Sequence, residues 1–457
     1  MLCERATSQV EGGIRPARNA GAVVLVIILL VLPAAAAARR PAGGPGRSAV
    51  LFIGDGMGPA YVTATRVARG GSAGRLHVDD MPYTAIVRTF AADGPVTDSA
   101  AAVTAMACGR KTVNGVLGED ASAVYGKSDG KKLEPLGLWA EGRGMRVGLV
   151  TTTRVTHATP AGFYATVNDR DRERTIARQA IASSVDLLLG GGREFFRPGP
   201  RVSGDPGWPA GDSEDLEALA RSRGFTIVTS GRELAEVASL ETKVLGLFAD
   251  SHMPYEAPAG RAGDRAGTPS LVEMTRWAIA RLRATGRPFF LMVEGGRIDH
   301  AGHANWARTL VDETAAFDDA IGAALVMLDP KATLVLVTAD HETGGLAING
   351  YPEEKNGILG TVRPEGGGDP YPVLTFATGP GSKTETPDAP YGSADGRPSA
   401  VKLGSAAHTG VDVTLYGWGA DAEEVRGTLD NTAVYALLRA HLEGRRPDRA
   451  SLERPPR

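Results

Sequence analysis

Cysteine is almost absent from this chain, which has only Cys3 and Cys108 among its 457 residues. Cys3 lies in an amino-terminal segment that we predict to be removed, so the remaining chain can form no intramolecular disulfide. A chain of this length buries enough apolar surface to fold without cross-links, and the lack of disulfides does not argue against export. Cys108 lies in an apolar helical pattern, and we expect it to be an inert, packed thiol.

Any excess of positive charge is also absent. The 50 lysines and arginines are balanced by 53 aspartates and glutamates, for a formal net charge of −3. Nucleic-acid binding requires a basic surplus, so we expect no nucleic-acid partner. A hydrophobic content of 42% and a charged content of 23% exclude a disordered, collagen-like or polytopic membrane protein. We therefore expect one large α/β domain with insertions, or two unequal domains.

Long hydrophobic runs are scarce, and the one that stands out covers residues 21–32. It follows Arg15 and Arg18 and precedes the alanines at 34–38. This order of basic, apolar and small residues is typical of a secretory signal peptide, which we predict to be residues 1–38. The alternative is an uncleaved anchor, because the run extended through the alanines approaches the roughly 18 residues of a spanning helix. Cleavage would give a periplasmic or secreted protein with no stable membrane insertion.

Short apolar runs alternate with amphipathic stretches along the rest of the chain. The runs have the length and β-branched content of buried strands, and they cover residues 49–53, 147–150, 185–189, 244–248, 289–293, 334–337 and 373–376. Helical patterns lie between several of them, at residues 172–184, 213–223, 269–284 and 306–328. This alternation predicts a doubly wound α/β fold with a largely parallel central sheet flanked by helices.

The predicted α/β domain covers residues 47–445. Within it, residues 350–400 are rich in glycine, proline, aspartate and serine and show little periodicity. We expect them to form a loop-rich excursion, as a small surface insertion. The charged, proline-rich tail at residues 446–457 is expected to be loose. The sequence has no internal repeat.

Metal-ligating residue types follow several of the predicted strands. In an open parallel sheet, ligands bind at the carboxyl ends of the strands. The first run is followed by Asp55 between glycines that let the backbone approach an ion closely, a pattern that by itself also fits a tight turn. The runs at 289–293 and 334–337 are followed by further carboxylates and imidazoles. These are Glu294, Asp299, His300, His303, Asp340 and His341.

Histidine is sparse, and half of the eight histidines fall at His300, His303, His341 and His408. A lone histidine is more often a structural residue, but this concentration favours metal ligation. Aspartate with histidine and no thiolate is typical of a catalytic zinc site, since closed structural zinc sites usually use cysteines. The sequence therefore predicts a catalytic metal centre.

Ser99 is the candidate nucleophile. It opens an alanine-rich helical pattern, where the positive end of the helix dipole and free backbone N–H groups favour an alkoxide and a bound phosphate. The same pattern is typical of an ordinary helix cap, which is the competing interpretation. No G-x-S-x-G motif accompanies Ser99, so activation by a metal is favoured over a histidine-based triad.

Six ordered stretches of the chain resemble the alkaline phosphatase family. They are FIGDGMG at 52–58, TDSAA at 97–101, HATPA at 157–161, VEG at 293–295 with Ile298, Asp299 and His303, TADHETGG at 338–345, and AHTG at 407–410. The resemblance implies that residues 47–445 are the catalytic domain of a phosphomonoester hydrolase acting on small molecules. It also implies two Zn²⁺ and one Mg²⁺ per chain and a homodimer.

The family pattern, carried over residue by residue, implies three metal sites and a phosphate-binding arginine. The ligands would be Asp299, His303 and His408 for one zinc, Asp55, Asp340 and His341 for the second, and Asp55, Thr159 and Glu294 for the third ion. The second zinc would lower the pKa of Ser99, and the first would stabilise the leaving oxygen. Arg170 would hold the phosphate, although its arginine-rich surroundings also fit a solvated run of charge.

Two positions depart from the enterobacterial pattern of the family. His157 and His300 stand where that pattern has aspartate and lysine, and both match the animal-type enzymes. In or near the third site, His157 would replace a hard carboxylate with a nitrogen donor. We therefore expect Co²⁺ or Zn²⁺ to compete with Mg²⁺ there.

Two other functions stay open at this point. A phosphodiesterase, sulfatase-like hydrolase or phosphomutase would use the same metal scaffold, but Arg170 and a serine nucleophile favour a dianionic monoester. A secreted phosphate- or metal-binding protein without turnover would have no use for Ser99 beside a complete ligand set.

Overall fold

A computed structural model of the protein describes residues 46–199, 205–206, 212–256, 267–350, 357–364, 366–381 and 396–454. The predicted signal peptide lies outside these ranges, as do parts of the predicted insertion. No helix within the described ranges is long and apolar enough to cross a bilayer.

Strands and helices of the described residues are numbered here in chain order. The strands are β1 (Ser48–Gly54), β2 (Tyr83–Arg88), β3 (Arg146–Arg154), β4 (Leu187–Gly191), β5 (Phe225–Val228), β6 (Lys243–Leu247), β7 (Phe289–Gly295), β8 (Thr333–Thr338), β9 (Glu342–Thr343), β10 (Leu346–Ile348), β11 (Thr361–Val362), β12 (Tyr371–Pro372), β13 (Leu374–Gly379), β14 (Ser399–Lys402), β15 (His408–Thr409), β16 (Val413–Gly419) and β17 (Gly427–Asp430). The helices are α1 (Pro59–Gly70), α2 (Ser99–Cys108), α3 (Leu136–Glu141), α4 (Ala158–Ala161), α5 (Glu173–Ala182), α6 (Leu216–Ser222), α7 (Gly231–Glu236), α8 (Leu271–Ala284), α9 (Arg297–His303), α10 (Ala307–Met327), α11 (Thr432–Glu443) and α12 (Arg449–Glu453).

The central sheet has ten strands in the order β17-β2-β16-β8-β1-β7-β3-β4-β6-β5. Neighbours pair in parallel except at β16, which runs antiparallel to both β2 and β8. The chain passes from β1 to β2 on one side and then to β3 on the other, so the strand order reverses beside β1. Ligands bind at such a point in open α/β sheets. The predicted doubly wound, largely parallel sheet is confirmed.

Helices cover both faces of the sheet around β1. On one face α10 packs against β1 and β7, and Phe317 of α10 meets Phe52 edge to face at 5.9 Å. On the other face α11 packs against β1, β8 and α2. All ten residues of α2 are buried, because its short alanine side chains let it fit closely beneath α11. β1 is therefore held rigidly along its whole length.

The predicted elements match the structure. Each predicted strand is present within a few residues, and the predicted helices correspond to α5, α6, α8 and α10. The run at 373–376 forms β13, which pairs with β10 and β14 in a separate three-stranded sheet. It therefore lies outside the central sheet, in line with the expected excursion of residues 350–400 from that sheet.

Two further expectations concern the insertion at residues 350–400 and the tail at residues 446–457. The described part of the predicted insertion contains the β11–β12 pair, β13 and the first residues of β14. The prediction of a loose tail is wrong for residues 449–453, which form α12. Leu452 is fully buried there, and Arg449 donates hydrogen bonds to the carbonyls of Glu424 and Arg426. One apolar anchor and a guanidinium with two acceptors hold the segment in place.

Candidate active site

The register of the central strands brings three carboxylates to one level. Ile53 of β1 lies opposite Glu294 of β7 and Thr338 of β8. Asp55 and Asp340 stand two residues beyond these positions, just after their strands end. The three acidic side chains therefore meet at the carboxyl edge of the sheet.

Asp55, Asp340 and His341 form the first metal-capable group, with one ligand atom from each within 4.8 Å of the others. His341 Nε2 lies 3.2 Å from Asp340 Oδ2 and 3.6 Å from Asp55 Oδ1. Gly56 makes the turn after Asp55 with a φ of +68°, and a Cβ there would lie 2.7 Å from Asp299 Oδ1. The Gly56 N–H donates a hydrogen bond to Asp340 Oδ1 at 3.0 Å. Asp340 Oδ2 and both Asp55 oxygens are buried without a hydrogen-bond partner among the described residues.

Asp299, His303 and His408 form an adjoining cluster. Asp299 and His303 are one turn apart on α9, and His303 Nε2 lies 3.2 Å from Asp299 Oδ2 and 3.2 Å from His408 Nε2. Nδ1 of His408 lies 3.0 Å from the Thr97 carbonyl, and Nδ1 of His303 lies 2.5 Å from that of Ala406. A carbonyl can only accept, so each Nδ1 carries the proton and each Nε2 lone pair is available to a metal.

His341 lies between the two clusters, and it is His341 rather than His303 that completes a metal-capable group with Asp299 and His408. Its ring stacks on that of His408 with centroids 3.6 Å apart, and Asp299, His341 and His408 also lie within 4.8 Å of one another by one ligand atom each. Two cations held here would therefore be close neighbours, as the resemblance implies.

Glu294, Asp55 and His157 form the third metal-capable group. Glu294 Oε1, Thr159 Oγ1 and His157 Nδ1 are all buried without a hydrogen-bond partner among the described residues. Thr159 is close enough to Glu294 to lower the pKa of that carboxyl. The structure thus brings His157 into the group in which sequence analysis expects a hard ion.

While no cation is bound, burial raises the pKa of three of the site carboxyls. Burial acts in the same direction on Asp299, but His303 and His408 lower the pKa of that carboxyl well below its usual value. Burial raises the pKa of Asp55 well above its usual value, and the charges of Asp340, Asp299 and Glu294 raise it further. Burial likewise raises the pKa of Asp340 to about 6 and that of Glu294 to about 7. Divalent cations would neutralise this charge and satisfy the unpartnered oxygens, so the donor set fits metal ions.

Ser99 is the first residue of α2, and its hydroxyl lies 3.2 Å from His341 Nε2. The cap of this helix is Asp98, whose carboxylate accepts a hydrogen bond from the Ala101 N–H at 2.9 Å. The interpretation of Ser99 as a helix cap is therefore wrong. Its hydroxyl faces the metal-capable groups instead, and it is only 2% exposed.

Arg170 lies beside this serine rather than in a solvated run of charge. Its Nη1 donates to Asp98 Oδ2 at 3.0 Å, and its Nη2 donates to His157 Nε2 at 3.0 Å. Burial alone would raise the pKa of Asp98, but Arg170 and the N–H groups of Ala101 and Gly115 lower it below its usual value. The guanidinium is thus fixed between the nucleophile candidate and the third group.

Sequence analysis missed the residues that orient the candidate ligands. Hydroxyls of Thr151 and Thr153 donate to Glu294 Oε2. Glu342 accepts from the Gly345 N–H at 2.9 Å and from the Thr409 hydroxyl, which fixes β9 against the short strand β15 that carries His408. The Thr-Thr-Thr run at 151–153 was the available signal, because it ends a predicted strand.

His252 was missed as well. Its ring lies 4.3 Å from that of His300 and 5.6 Å from that of His157, centroid to centroid. It follows β6 by a few residues, so the rule that selected Asp55 and Asp340 applies to it too.

Comparison with known proteins agrees with this geometry. The family model described as alkaline phosphatase matches residues 47–443. A membrane-bound alkaline phosphatase of Bombyx mori is 33% identical, covering 86% of this chain and 79% of that protein. The crystal structure of Thermus thermophilus alkaline phosphatase is 28% identical with a TM-score of 0.68, covering 88% of this chain and 92% of that one. A structure of TAB5 alkaline phosphatase is 27% identical with a TM-score of 0.66, covering 87% of this chain and 98% of that one. In that structure a histidine is changed to aspartate and Mg is bound in the M3 site.

Proposed function

Because the chain belongs to the alkaline phosphatase family, we propose that it hydrolyses phosphate monoesters through a phosphoserine intermediate at Ser99. Phosphomonoester hydrolysis itself follows from the family and its relatives. The observation that supports the serine route is the Ser99 hydroxyl, which lies 3.2 Å from His341 at the start of a buried helix. No role in capping competes for it.

Ser99, Arg170 and Asp98 would each have a separate role in this reaction. Ser99 Oγ attacks phosphorus and the leaving oxygen departs, and a water later cleaves the phosphoserine to regenerate the hydroxyl. The amino end of α2 favours the developing alkoxide and the phosphate. Arg170 holds two nonbridging oxygens in a fork, and Asp98 keeps that guanidinium in place. This geometry favours a dianionic monoester over a diester or a sulfate ester.

Metal ions would occupy the three groups of candidate ligands. We propose one Zn²⁺ on Asp299, His303 and His408, and a second on Asp55, Asp340 and His341. Bound there, they would lower the pKa of the Ser99 hydroxyl and of a water and stabilise the leaving oxygen. Asp55, Thr159 and Glu294 would hold a third ion, Mg²⁺ by the choice of oxygen donors, with His157 bringing Co²⁺ or Zn²⁺ into competition. The Mg-bound aspartate variant of the TAB5 enzyme supports a role for a histidine at such a site.

The experiment compares two serine variants for activity, labelling and stability. The parent is expected to hydrolyse 4-nitrophenyl phosphate, to lose activity in a chelator and to regain it with Zn²⁺. Trapping with radiolabelled phosphate at low pH is expected to label the parent and not Ser99→Ala. Ser270→Ala is the matched control, because Ser270 caps α8 through Glu273. It should lose about 1 kcal/mol of stability and keep its label, whereas Ser99→Ala should lose little stability. Label retained in Ser99→Ala would place the nucleophile elsewhere.

Two further proposals concern the whole protein. We propose that residues 1–38 direct export to the periplasm or medium and are removed, and that two chains form a homodimer. Amino-terminal sequencing of the exported protein tests the first, and sedimentation of the active enzyme tests the second.

A further inference from the structure

Beside the metal-capable groups, three imidazoles pack edge to face with ring centroids 4.3–6.0 Å apart. A different arginine side chain approaches one nitrogen of each ring; the pairs are Arg170 with His157 Nε2, Arg154 with His252 Nε2, and Arg297 with His300 Nδ1. A guanidinium can only donate, so without a bound metal ion the approached nitrogen accepts and the N–H is on the other nitrogen of each ring. A metal ion on His157 Nδ1 would require the other tautomer of that ring and the loss of its hydrogen bond from Arg170. Three cations therefore surround three neutral imidazoles.

Two of these cations have carboxylate partners and the third does not. Arg154 is held by Glu173 through bonds of 2.8 and 2.6 Å, and Arg170 is held by Asp98 at 3.0 Å. Arg297 has no carboxylate within 4.0 Å among the described residues. Its guanidinium lies 3.8 Å from the centre of the Tyr255 ring, and its Nε is buried without a hydrogen-bond partner there. Among the described residues, no acidic side chain thus neutralises the charge of Arg297.

The position of Arg297 relates this charge to the substrate. Arg297 begins α9, the short helix that also carries Asp299 and His303. These two residues belong to the group that is proposed to act on the leaving oxygen. The contact that links Arg297 to the site is with His300, the neighbour of Asp299: its Nδ1 lies 3.2 Å from Arg297 Nη1, and its ring lies 6.0 Å from that of His157. A leaving group that extends from the site past His300 would reach Arg297 and the aromatic pair of Tyr255 and Trp306, whose rings lie 5.9 Å apart.

We propose that Arg297 binds an anionic group on the leaving group of the substrate, so that the enzyme selects phosphate monoesters with a second negative charge. The proposal rests on the proposed phosphomonoesterase function. A carboxylate or a second phosphate would neutralise the guanidinium and form charge-assisted hydrogen bonds with it. His252 offers another donor nearby, because its Nδ1–H is buried and has no partner among the described residues. Arg297 is in this sense a specificity-determining residue.

Three phenyl phosphates with meta substituents of different charge test the proposal. They carry at the meta position a hydrogen, a carboxylate or a trimethylammonium group, and phosphate release is followed with each. The parent is compared with Arg297→Gln, with Arg297→Lys, and with Arg232→Gln as the control. Arg232 is 82% exposed on α7, so its replacement removes the same charge away from the site.

The readout is kcat/KM of each variant relative to the parent for the same ester, which cancels differences in leaving-group reactivity. For Arg297→Gln this value should be about tenfold lower with the carboxylate ester than with the ammonium ester, mostly through KM. Arg297→Lys should recover part of the difference, and Arg232→Gln should show none. An equal effect of Arg297→Gln on all three esters would overturn the proposal.

A second measurement uses the parent alone. We expect 3-carboxybenzylphosphonate to inhibit about tenfold more tightly than benzylphosphonate, since only the former reaches Arg297 with an anion. Equal inhibition constants would contradict the proposal. Failure of the parent to hydrolyse any of the three esters would instead overturn the proposed function on which it rests.

Discussion

Arg174 and Asp55 are almost equally buried, but among the described residues only the charged group of Arg174 has hydrogen-bond partners. Arg174 is 0% exposed and donates to the Phe195 carbonyl at 2.6 Å, to Asp212 at 3.1 Å and to the Glu214 carbonyl. Asp55 is 1% exposed, and neither of its oxygens has a partner in the described structure.

This comparison distinguishes a buried charge that is compensated by other residues of the chain from a buried charge that needs a ligand for compensation. A buried charge is tolerated when it is paired and hydrogen-bonded, and it destabilises the fold otherwise. Arg174 and Asp212 meet that condition within the chain. Asp55, Glu294 and Asp340 each keep at least one oxygen without a hydrogen-bond partner among the described residues, so we expect the carboxyl edge of the sheet to reach its full stability only with cations bound.

The largest effect is expected from Asp55→Asn, which changes one oxygen of the unsatisfied cluster to nitrogen. Hydrolysis should fall by more than about a hundredfold, since Asp55 faces two proposed metal ions and even residues behind ligands contribute 10- to 100-fold. The metal-free variant should be more stable than the metal-free parent, because asparagine carries no charge, whereas Asp55 must either bury a charge beside Asp340 or take up a proton to avoid it. Metal content and thermal unfolding in a chelator measure both. A metal-free variant less stable than the parent would mean that Asp55 is already satisfied by the chain.

Arg174→Met should produce the opposite result. Removing the guanidinium leaves Asp212 buried with one cation fewer, which should lower the free energy of unfolding by about 3–5 kcal/mol. Activity per folded molecule should stay at the parent level, because Arg174 lies outside the site. Arg178→Met is the control; that side chain is 34% exposed, and its loss should cost about 1 kcal/mol or less. Urea unfolding measures each value, and a small loss in Arg174→Met would show that the pair contributes little.

The two clusters should also respond oppositely to pH. Burial raises the pKa of Glu294 to about 7, compared with an ordinary value of about 4.3. The contribution of this carboxyl to the stability of the metal-free fold is therefore complete below about pH 4.3 and is lost as the pH rises through 7. Burial alone would raise the pKa of Asp212, but Arg174 and Arg178 lower it below its usual value. Asp212 therefore stabilises the fold above about pH 4, and this contribution is lost as the pH falls further.

Variants isolate these two contributions from the histidines that titrate in the same interval. In a chelator, the unfolding free energy of the parent minus that of Glu294→Gln should fall between pH 5 and pH 8. The corresponding difference for Asp212→Asn should stay constant over that range and fall below pH 4. A Glu294→Gln difference that does not change with pH would contradict the shift.

The smallest effect is expected at the edge of the unsatisfied cluster. His157→Asp restores a carboxylate beside Asp55 and Glu294, and Mg²⁺ should then bind about tenfold more tightly relative to Co²⁺. Adding His300→Lys should slow phosphate release, because the pocket gains a charge that persists at alkaline pH. Activity titrations with Mg²⁺ and Co²⁺ and single-turnover kinetics measure the two effects. An unchanged metal preference in His157→Asp would place His157 outside the third ion's ligands.

Much of the fold could be predicted because buried parallel strands are continuous apolar runs. β1, β7 and β8 are buried on both faces, so periodicity and composition mark them clearly. β2 and β16 were missed because they alternate between buried and partly exposed residues, and polar residues interrupt them. The residues of β13 have the character of a central strand, but pairing with β10 and β14 places them elsewhere.

The candidate ligands were predictable because they directly follow predicted strands or lie within motifs of the alkaline phosphatase family. Their hydrogen-bond partners were not. His252, Glu342 and Thr151 belong to segments far from the residues they touch, and no local pattern connects them. The same holds for Asp98, which caps α2 and also fixes Arg170 across 72 positions of sequence.

The sequence by itself determined the alternation of strands and helices, the family, and the set of metal-capable residues, because these depend on local periodicity, composition and residue type. Only the tertiary structure decided which of those groups stay unsatisfied. Among the described residues, Asp55 has no hydrogen-bond partner while Asp212 pairs with Arg174 and Arg178, and Arg297 is the one of three neighbouring arginines without a carboxylate within 4.0 Å. The reason is physical: charge compensation depends on distances between side chains from separate strands and loops, and strand register sets those distances.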